Sequence, residues 1–171
     1  VSAAGPRCGA TRLVCVDGPS GAGKTVLAER LVRAIGNVPL VHMDDLYPGW
    51  DGLAPAVPLL HEWVVAPLLA GRAARYRRYD WHRGSYAEEH DLGTPPVLVV
   101  EGVGAGARII AAHAVLLVWV DAPPAERFRR GMERDGGTYR PHWERWAQQE
   151  QVHFAAEGTR DRADVQVDGA R

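Results

Sequence analysis

Apolar residues along the chain fall into two kinds of run. Short unbroken runs, rich in β-branched residues, cover Arg12–Asp17 (RLVCVD), 38–43, 97–100 (VLVV) and 114–120 (AVLLVWV), and each stops at a glycine or an acid. Runs without a polar face predict strands buried on both sides, as in parallel sheets. Between them the apolar positions recur every three or four residues. Val26, Leu27, Leu31, Val32 and Ile35 predict a helix over 23–35, closed by Gly36 and Asn37. Further helices are predicted over 59–69, where Pro67 removes an amide and bends the axis, and over 105–113, 125–134 and 143–156. A short closing strand is predicted over 163–167. The Pro-, Gly- and Asp-rich segment 44–58 predicts a loop, and 84–96 has turn chemistry without a period. Strands alternating with helices predict a single α/β domain over 1–171. The expected architecture has three layers: a mostly parallel five-stranded sheet with helices on both faces.

Composition narrows the function classes. The 171 residues match one domain, and 46% hydrophobic with 24% charged residues excludes a disordered or low-complexity chain. The two cysteines, Cys8 and Cys15, are too few for a disulfide framework, and a bridge between the two stays open. Cys15 lies in an apolar run and reads as a buried thiol. No apolar stretch approaches the ~20 residues of a membrane span, and the first residues lack a signal-peptide core. The expectation is a cytoplasmic protein with no membrane partner. A net charge of −1 gives no global pull towards nucleic acid. The stretch 72–83 is locally basic, with five arginines against Asp80. With Tyr76, Tyr79 and Trp81 beside them, these could stack on a strand of nucleic acid, but the segment is short and the remaining chain neutral. A homo-oligomer stays open.

Of 20 basic residues only Lys24 is lysine, and it lies in the segment Gly18-Pro-Ser20-Gly21-Ala22-Gly23-Lys24-Thr25. This octet satisfies G-x-x-x-x-G-K-[ST] at every fixed position, after a predicted strand and at the opening of a predicted helix. Glycines there let backbone amides turn inward into an anion nest, and the helix N-terminus adds roughly half a positive charge. Lys24 supplies a compact cation for β and γ phosphates, and Thr25 an oxygen for Mg²⁺. Glu101, at the end of the VLVV strand, is a second candidate metal ligand at the carboxyl edge of the sheet. His61, His90, His113, His142 and His153 show no metal-ligand spacing with the cysteines, and Trp143 and Trp146 read as packing.

These residues resemble the P-loop NTPase fold and its kinases, and further stretches are similar to the uridine kinase family, with kin among phosphoribulokinase-like enzymes. The resemblance runs through nearly the whole chain in order. It implies ATP and Mg²⁺ as cofactors and a small-molecule acceptor, with a nucleoside hydroxyl foremost. His42-Met43-Asp44-Asp45-Leu46-Tyr47 is similar to a strand-end acid followed by aromatics, which implies Asp44 as the base facing the acceptor hydroxyl. Asp51, Gly71 and Tyr79-Asp80-Trp81 resemble the sugar-binding acid, the helix-ending glycine and the base-bordering motif. The acceptor-binding set this implies is Asp51, Tyr79, Trp81, His82 and Arg83, within an insert of about 44–95. Asp121 followed by Arg127, Arg130, Arg134 and Asp135 resembles a small helical lid over about 122–140, whose arginines close on the phosphates. Two departures fall on the acceptor side. The segment between Asp44 and Asp51 is too short for the hairpin expected there, and His82 follows Trp81 directly. Other metabolite acceptors, some already phosphorylated, therefore stay open beside the nucleoside, as does a regulatory ATPase without an acceptor.

Overall fold

The computed structural model describes residues 4–169, with the side chains of Asp135 and Thr138 outside the described set. Five strands form one sheet: β1 (Arg12–Asp17), β2 (Leu40–His42), β5 (Val97–Glu101), β6 (Ala114–Asp121) and β7 (Val165–Asp168). Their spatial order is β2-β5-β1-β6-β7 and every neighbouring pair is parallel. The strand ends Asp17, His42, Glu101, Asp121 and Asp168 therefore lie along one edge.

Alternation along the strands divides the core in two. Val14, Val16, Val99, Val118 and Val120 pack on one face with Ala28 of helix α1 (Lys24–Ile35). Leu13, Cys15, Leu98, Val100 and Leu117 face the other way, towards α2 (Leu53–Leu60), α3 (Ala66–Leu69), α4 (Arg108–Ala111) and α6 (Trp143–Glu157). Burying each such side chain contributes about 1.5–3 kcal/mol before entropy is counted, so both faces hold the sheet in place. Cys8 and Cys15 are free and buried, and burial pushes the Cys8 thiol up to about 11.

Three segments differ from the sequence expectation. Helix begins at Leu53, inside the stretch expected to be a loop, because Leu53, Ala56, Val57 and Leu60 form a buried helical face among the prolines. Pro55 lies in the first turn, where its missing amide has no partner to lose. The ladder then widens to a π turn at His61–Val65, with the Ala66 amide bonding the His61 carbonyl, just before Pro67 removes a donor.

The largest difference is a two-stranded antiparallel ribbon, β3 (Ala74–Asp80) and β4 (Ser85–Gly93), outside the main sheet. A hairpin is thus present on this side of the protein, placed after α3 and not between Asp44 and Asp51. Its turn is an Asx turn: Asp80 Oδ1 accepts the amides of His82 at 2.9 Å and Arg83 at 3.0 Å. Much of the basic character of 72–83 is neutralised across the ribbon. Arg75 pairs with Glu89 and Asp91, Arg78 with Glu88, and Arg83 with Asp80.

Towards the C-terminus, α5 (Pro124–Tyr139) carries a break at Gly136 (φ 55°, ψ −130°), followed by a 3-10 turn at Arg140–His142, then α6 and α7 (Thr159–Arg162). Among the described residues no helix is long and apolar enough to cross a membrane.

Candidate active site

The loop between β1 and α1 is fixed by backbone geometry. Gly18 (φ 143°) approaches β6 so closely that a Cβ would lie 2.0 Å from the Val120 carbonyl oxygen. Gly21 (φ 76°) does the same against α5, with 2.3 Å to the Arg127 carbonyl oxygen. No residue with a side chain fits either place without displacing backbone. Asp17 braces the loop from beneath. It is fully buried and its carboxylate accepts the amides of Gly18 (2.7 Å), Gly104 (3.1 Å) and Gly106 (2.8 Å). Burial pushes its pKa up to about 6, against the pull of those amides and of Lys24.

Lys24 is 8% exposed, and its Nζ donates to the Pro19 carbonyl at 3.0 Å, arching back over the loop. The first amides of α1 have no carbonyl a turn earlier and stand open at the same place. Thr25 Oγ1 lies 3.1 Å from Glu101 Oε1, and His42 Nδ1 lies 2.6 Å from the same oxygen. That hydrogen bond raises the His42 pKa above its ordinary value, with burial acting against it. A hydroxyl and a buried carboxylate are hard oxygen donors that fit Mg²⁺, which takes one or two protein ligands and fills the rest with water and phosphate. Among the described residues no group of three or more His, Cys, Asp or Glu forms a metal cage.

Two cavities flank the loop. One, of about 520 Å³, lies between Gly21, Gly23, Lys24 and Thr25 and the α5 residues Arg130 and Arg134. The other, of about 580 Å³, has Ser20, Thr25 and Glu101 at one end and the β3–β4 ribbon at the other. Thr25 and Arg134 line both. Asp44, in the 3-10 turn Met43–Asp45 after β2, is exposed and lines the second cavity. Desolvation in the cleft, then the charge of Glu101, raises its pKa above the usual aspartate range, against the pull of Arg134, Lys24 and His42.

Aromatic side chains wall the second cavity. Tyr79 and Trp81 come from the ribbon and its turn, Trp50 from the loop before α2, and Tyr139 and Trp146 from the ends of α5 and α6. Trp50 stacks on His142 (4.4 Å) and Tyr139 (5.4 Å) and meets Trp81 at a tilt of 59° with 4.9 Å between ring centres, so it joins ribbon to C-terminal helices. Trp81 Nε1 donates to the Asp44 carbonyl at 3.0 Å, which ties the turn of the ribbon to the acid. His82 is also on the lining, whereas Arg83 is not. Asp51 is outside the lining as well: it is mostly exposed and paired with Arg145 of α6.

Of the three candidate arginines of α5, Arg130 and Arg134 line the same cavity and Arg127 does not. Arg127 donates to the Ala122 carbonyl and lies against Ser20, Arg130 bonds Glu126 and the Gly169 carbonyl, and Arg134 reaches both cavities. Asp135 lies among the side chains outside the described set. Sequence reasoning missed Asp17, Trp50, Trp146 and Glu150. Only Asp17, an acid at a strand end beside the glycine loop, had a legible signal; the others act through contacts with residues distant in sequence.

No protein-family model matches the chain, and no curated protein matches its sequence. Solved structures do. A possible uridine kinase from Bacillus stearothermophilus superposes with a TM-score of 0.69 at 21% identity, over 98% of this chain and 91% of that one. Shikimate kinase from Bacteroides thetaiotaomicron gives a TM-score of 0.53 at 18% identity, over 92% and 86%. The parallel five-stranded sheet, its helices on both faces and the glycine loop between β1 and α1 together make this the P-loop NTPase fold.

Proposed function

We propose that the chain transfers the γ-phosphoryl group of ATP to a hydroxyl of a small molecule, with a nucleoside the leading acceptor. One observation carries the reading: two cavities of ligand size share Thr25 and Arg134, so a triphosphate held in one presents its terminal phosphorus to the other. In this reading the amides of Gly21, Ala22 and Gly23 and the Lys24 ammonium hold the β and γ phosphates, with Gly18 and Ser20 shaping the loop. Thr25 and Glu101 would hold Mg²⁺, which would supply positive charge to offset that of the phosphates.

Asp44 sits on the acceptor side of the junction. It orients the acceptor hydroxyl and takes its proton as oxygen bonds to the γ-phosphorus; the bond to the β–γ bridging oxygen breaks and ADP leaves. Little covalent work falls to the protein, so most of the acceleration comes from placement and charge. Arg134 is the arginine best placed for the transferring group. Arg130 lines the nucleotide side, and Arg127 steadies the loop. The segment 44–95 forms the acceptor side, where Tyr79, Trp81 and His82 border the bound molecule, and 122–140 the lid. Asp51 and Arg83, outside the lining, have no role assigned.

Arg78 on the same lining favours a second reading, an acceptor that already carries an anionic group, although Glu88 engages this guanidinium in the free protein. The test is calorimetry with Mg²⁺ and ATP, followed by ADP release across a panel of nucleosides, sugar alcohols and their phosphates. Acceptor-dependent ADP release supports transfer. Hydrolysis indifferent to every acceptor supports a regulatory ATPase, and absence of ATP binding overturns the reading.

A further inference from the structure

Ser20, the third residue of the glycine octet, is gripped by side chains from α5 and α6. Its amide donates to Glu150 Oε1 at 2.8 Å, its hydroxyl accepts from Trp146 Nε1 at 3.0 Å, and its carbonyl lies 3.5 Å from Arg127 Nη1. Trp146 Nε1 also lies 2.9 Å from Glu150 Oε1, and Arg127 Nη1 stands 3.9 Å from Glu150 Oε2. Glu150 is only 4% exposed, a burial that glutamate almost never shows without partners. Every polar group of one loop residue is thus held by residues more than a hundred positions away.

A glycine-rich loop has many accessible shapes, and few of them turn its amides towards one anion. Fixing Ser20 in the middle of the loop removes that freedom before a ligand arrives, which is preorganisation. The grip also couples elements. Arg127 belongs to α5, which carries Arg130 and Arg134, and Glu150 and Trp146 belong to α6. Gly21 then packs directly on α5, so the loop cannot shift without moving that helix.

We infer that Glu150 is a positioning residue for the phosphate loop: through the Ser20 amide it holds the loop in its anion-binding shape and registers it against α5 and α6. The inference rests on the nucleotide reading above. Glutamine at 150 keeps an oxygen for both donors but loses the charge and turns an –NH₂ towards Arg127, whereas alanine loses the tether.

The experiment measures amide hydrogen exchange at Ser20 in the ligand-free protein and Mg²⁺–ATP affinity by calorimetry, in wild type, Glu150→Gln and Glu150→Ala. In wild type the Ser20 amide is protected. In Glu150→Ala it exchanges about tenfold faster or more and ATP binds about tenfold more weakly, the size expected for one lost charge-assisted hydrogen bond. Glu150→Gln stays within about threefold of wild type on both readouts. An unprotected Ser20 amide in wild type overturns the inference, and this holds even if Glu150→Ala does not fold. So does a lowered melting temperature with unchanged affinity in both variants, which marks a structural role, or tighter ATP binding in both, which marks a carboxylate competing with phosphate. If wild type binds no nucleotide, the functional reading falls, while the exchange data still decide whether Glu150 holds the loop.

Discussion

The two cavities that meet at Thr25 and Arg134 are built by different means. The side taken as the nucleotide site is floored by one contiguous octet whose shape is set by backbone, with positive φ at Gly18, Gly21 and Gly23, a helix beginning at Lys24 and a single ammonium, and α5 closes it from the far side. The acceptor side is made of separate segments, the turn after β2, Trp50, the ribbon and the ends of α5 and α6, and is lined mainly by aromatic rings. Backbone amides recognise what every nucleoside triphosphate has in common, whereas side chains brought together by packing recognise what distinguishes one acceptor from another. The first kind of site can stay constant while the second varies on the same fold.

The sharpest way to break this division is Lys24→Ala. Turnover is expected to fall about 1000-fold, since a preorganised charge aimed at the transferring group is lost, with the melting temperature within a few degrees of wild type. Steady-state kinetics beside a thermal melt checks it; retained turnover removes the phosphate assignment from that cavity. Asp44→Asn comes next. A lost general base lowers kcat by roughly 100-fold or more, with ATP affinity within about threefold. In wild type, kcat is lost on acidification through a pKa above the ordinary aspartate value of about 3.9, as protonation removes the base, and the variant lacks that limb. Equal losses in kcat and ATP affinity would instead place Asp44 on the nucleotide side.

Trp81→Ala separates the two sides from the opposite direction. It removes one wall of the acceptor cavity, so KM for the acceptor is expected to rise about tenfold while ATP affinity is unchanged. A change in ATP affinity would show that the sides are not independent. Smallest is the effect of the brace beneath the loop. Asp17→Asn turns an amide –NH₂ towards backbone donors and costs about 1–3 kcal/mol of stability. Because the folded pKa of Asp17 is raised to about 6, its protonated form favours the folded state: this contribution is full below about pH 4 and is lost as pH rises through about 6. Urea midpoints across that window should show the decline in wild type and a flatter profile in the variant.

How much was legible differs between the same two regions. β1, α1, β5 and β6 followed from apolar runs, because strands buried on both faces leave no polar positions to confuse the pattern. The ribbon did not. Its strands are half-exposed, β4 (SYAEEHDLG) has almost no apolar residues, and register breaks beside Ala74 and Arg77 spoil the alternation. What stabilises it is cross-strand charge pairing and contacts of Tyr76 and Tyr86 with the loop after β2, where they bond Asp45 and the Leu46 carbonyl. In α2 the prolines masked a buried face that only its packing partners reveal. Trp146, read as packing, is both buried and a donor to Ser20.

By itself the sequence determined the glycine loop, its lone lysine, the order of the five strands of the main sheet, and hence the fold, since each depends on residues adjacent in the chain or on a periodicity within one element. Only the tertiary structure decided which acids and rings share a cavity, that Asp51 faces Arg145 while Trp50 closes the wall, and that Glu150 reaches the Ser20 amide. Those facts depend on side chains meeting across distances of tens to more than a hundred residues, and a linear pattern carries no record of which distant positions the packing of helices on a sheet will bring into contact.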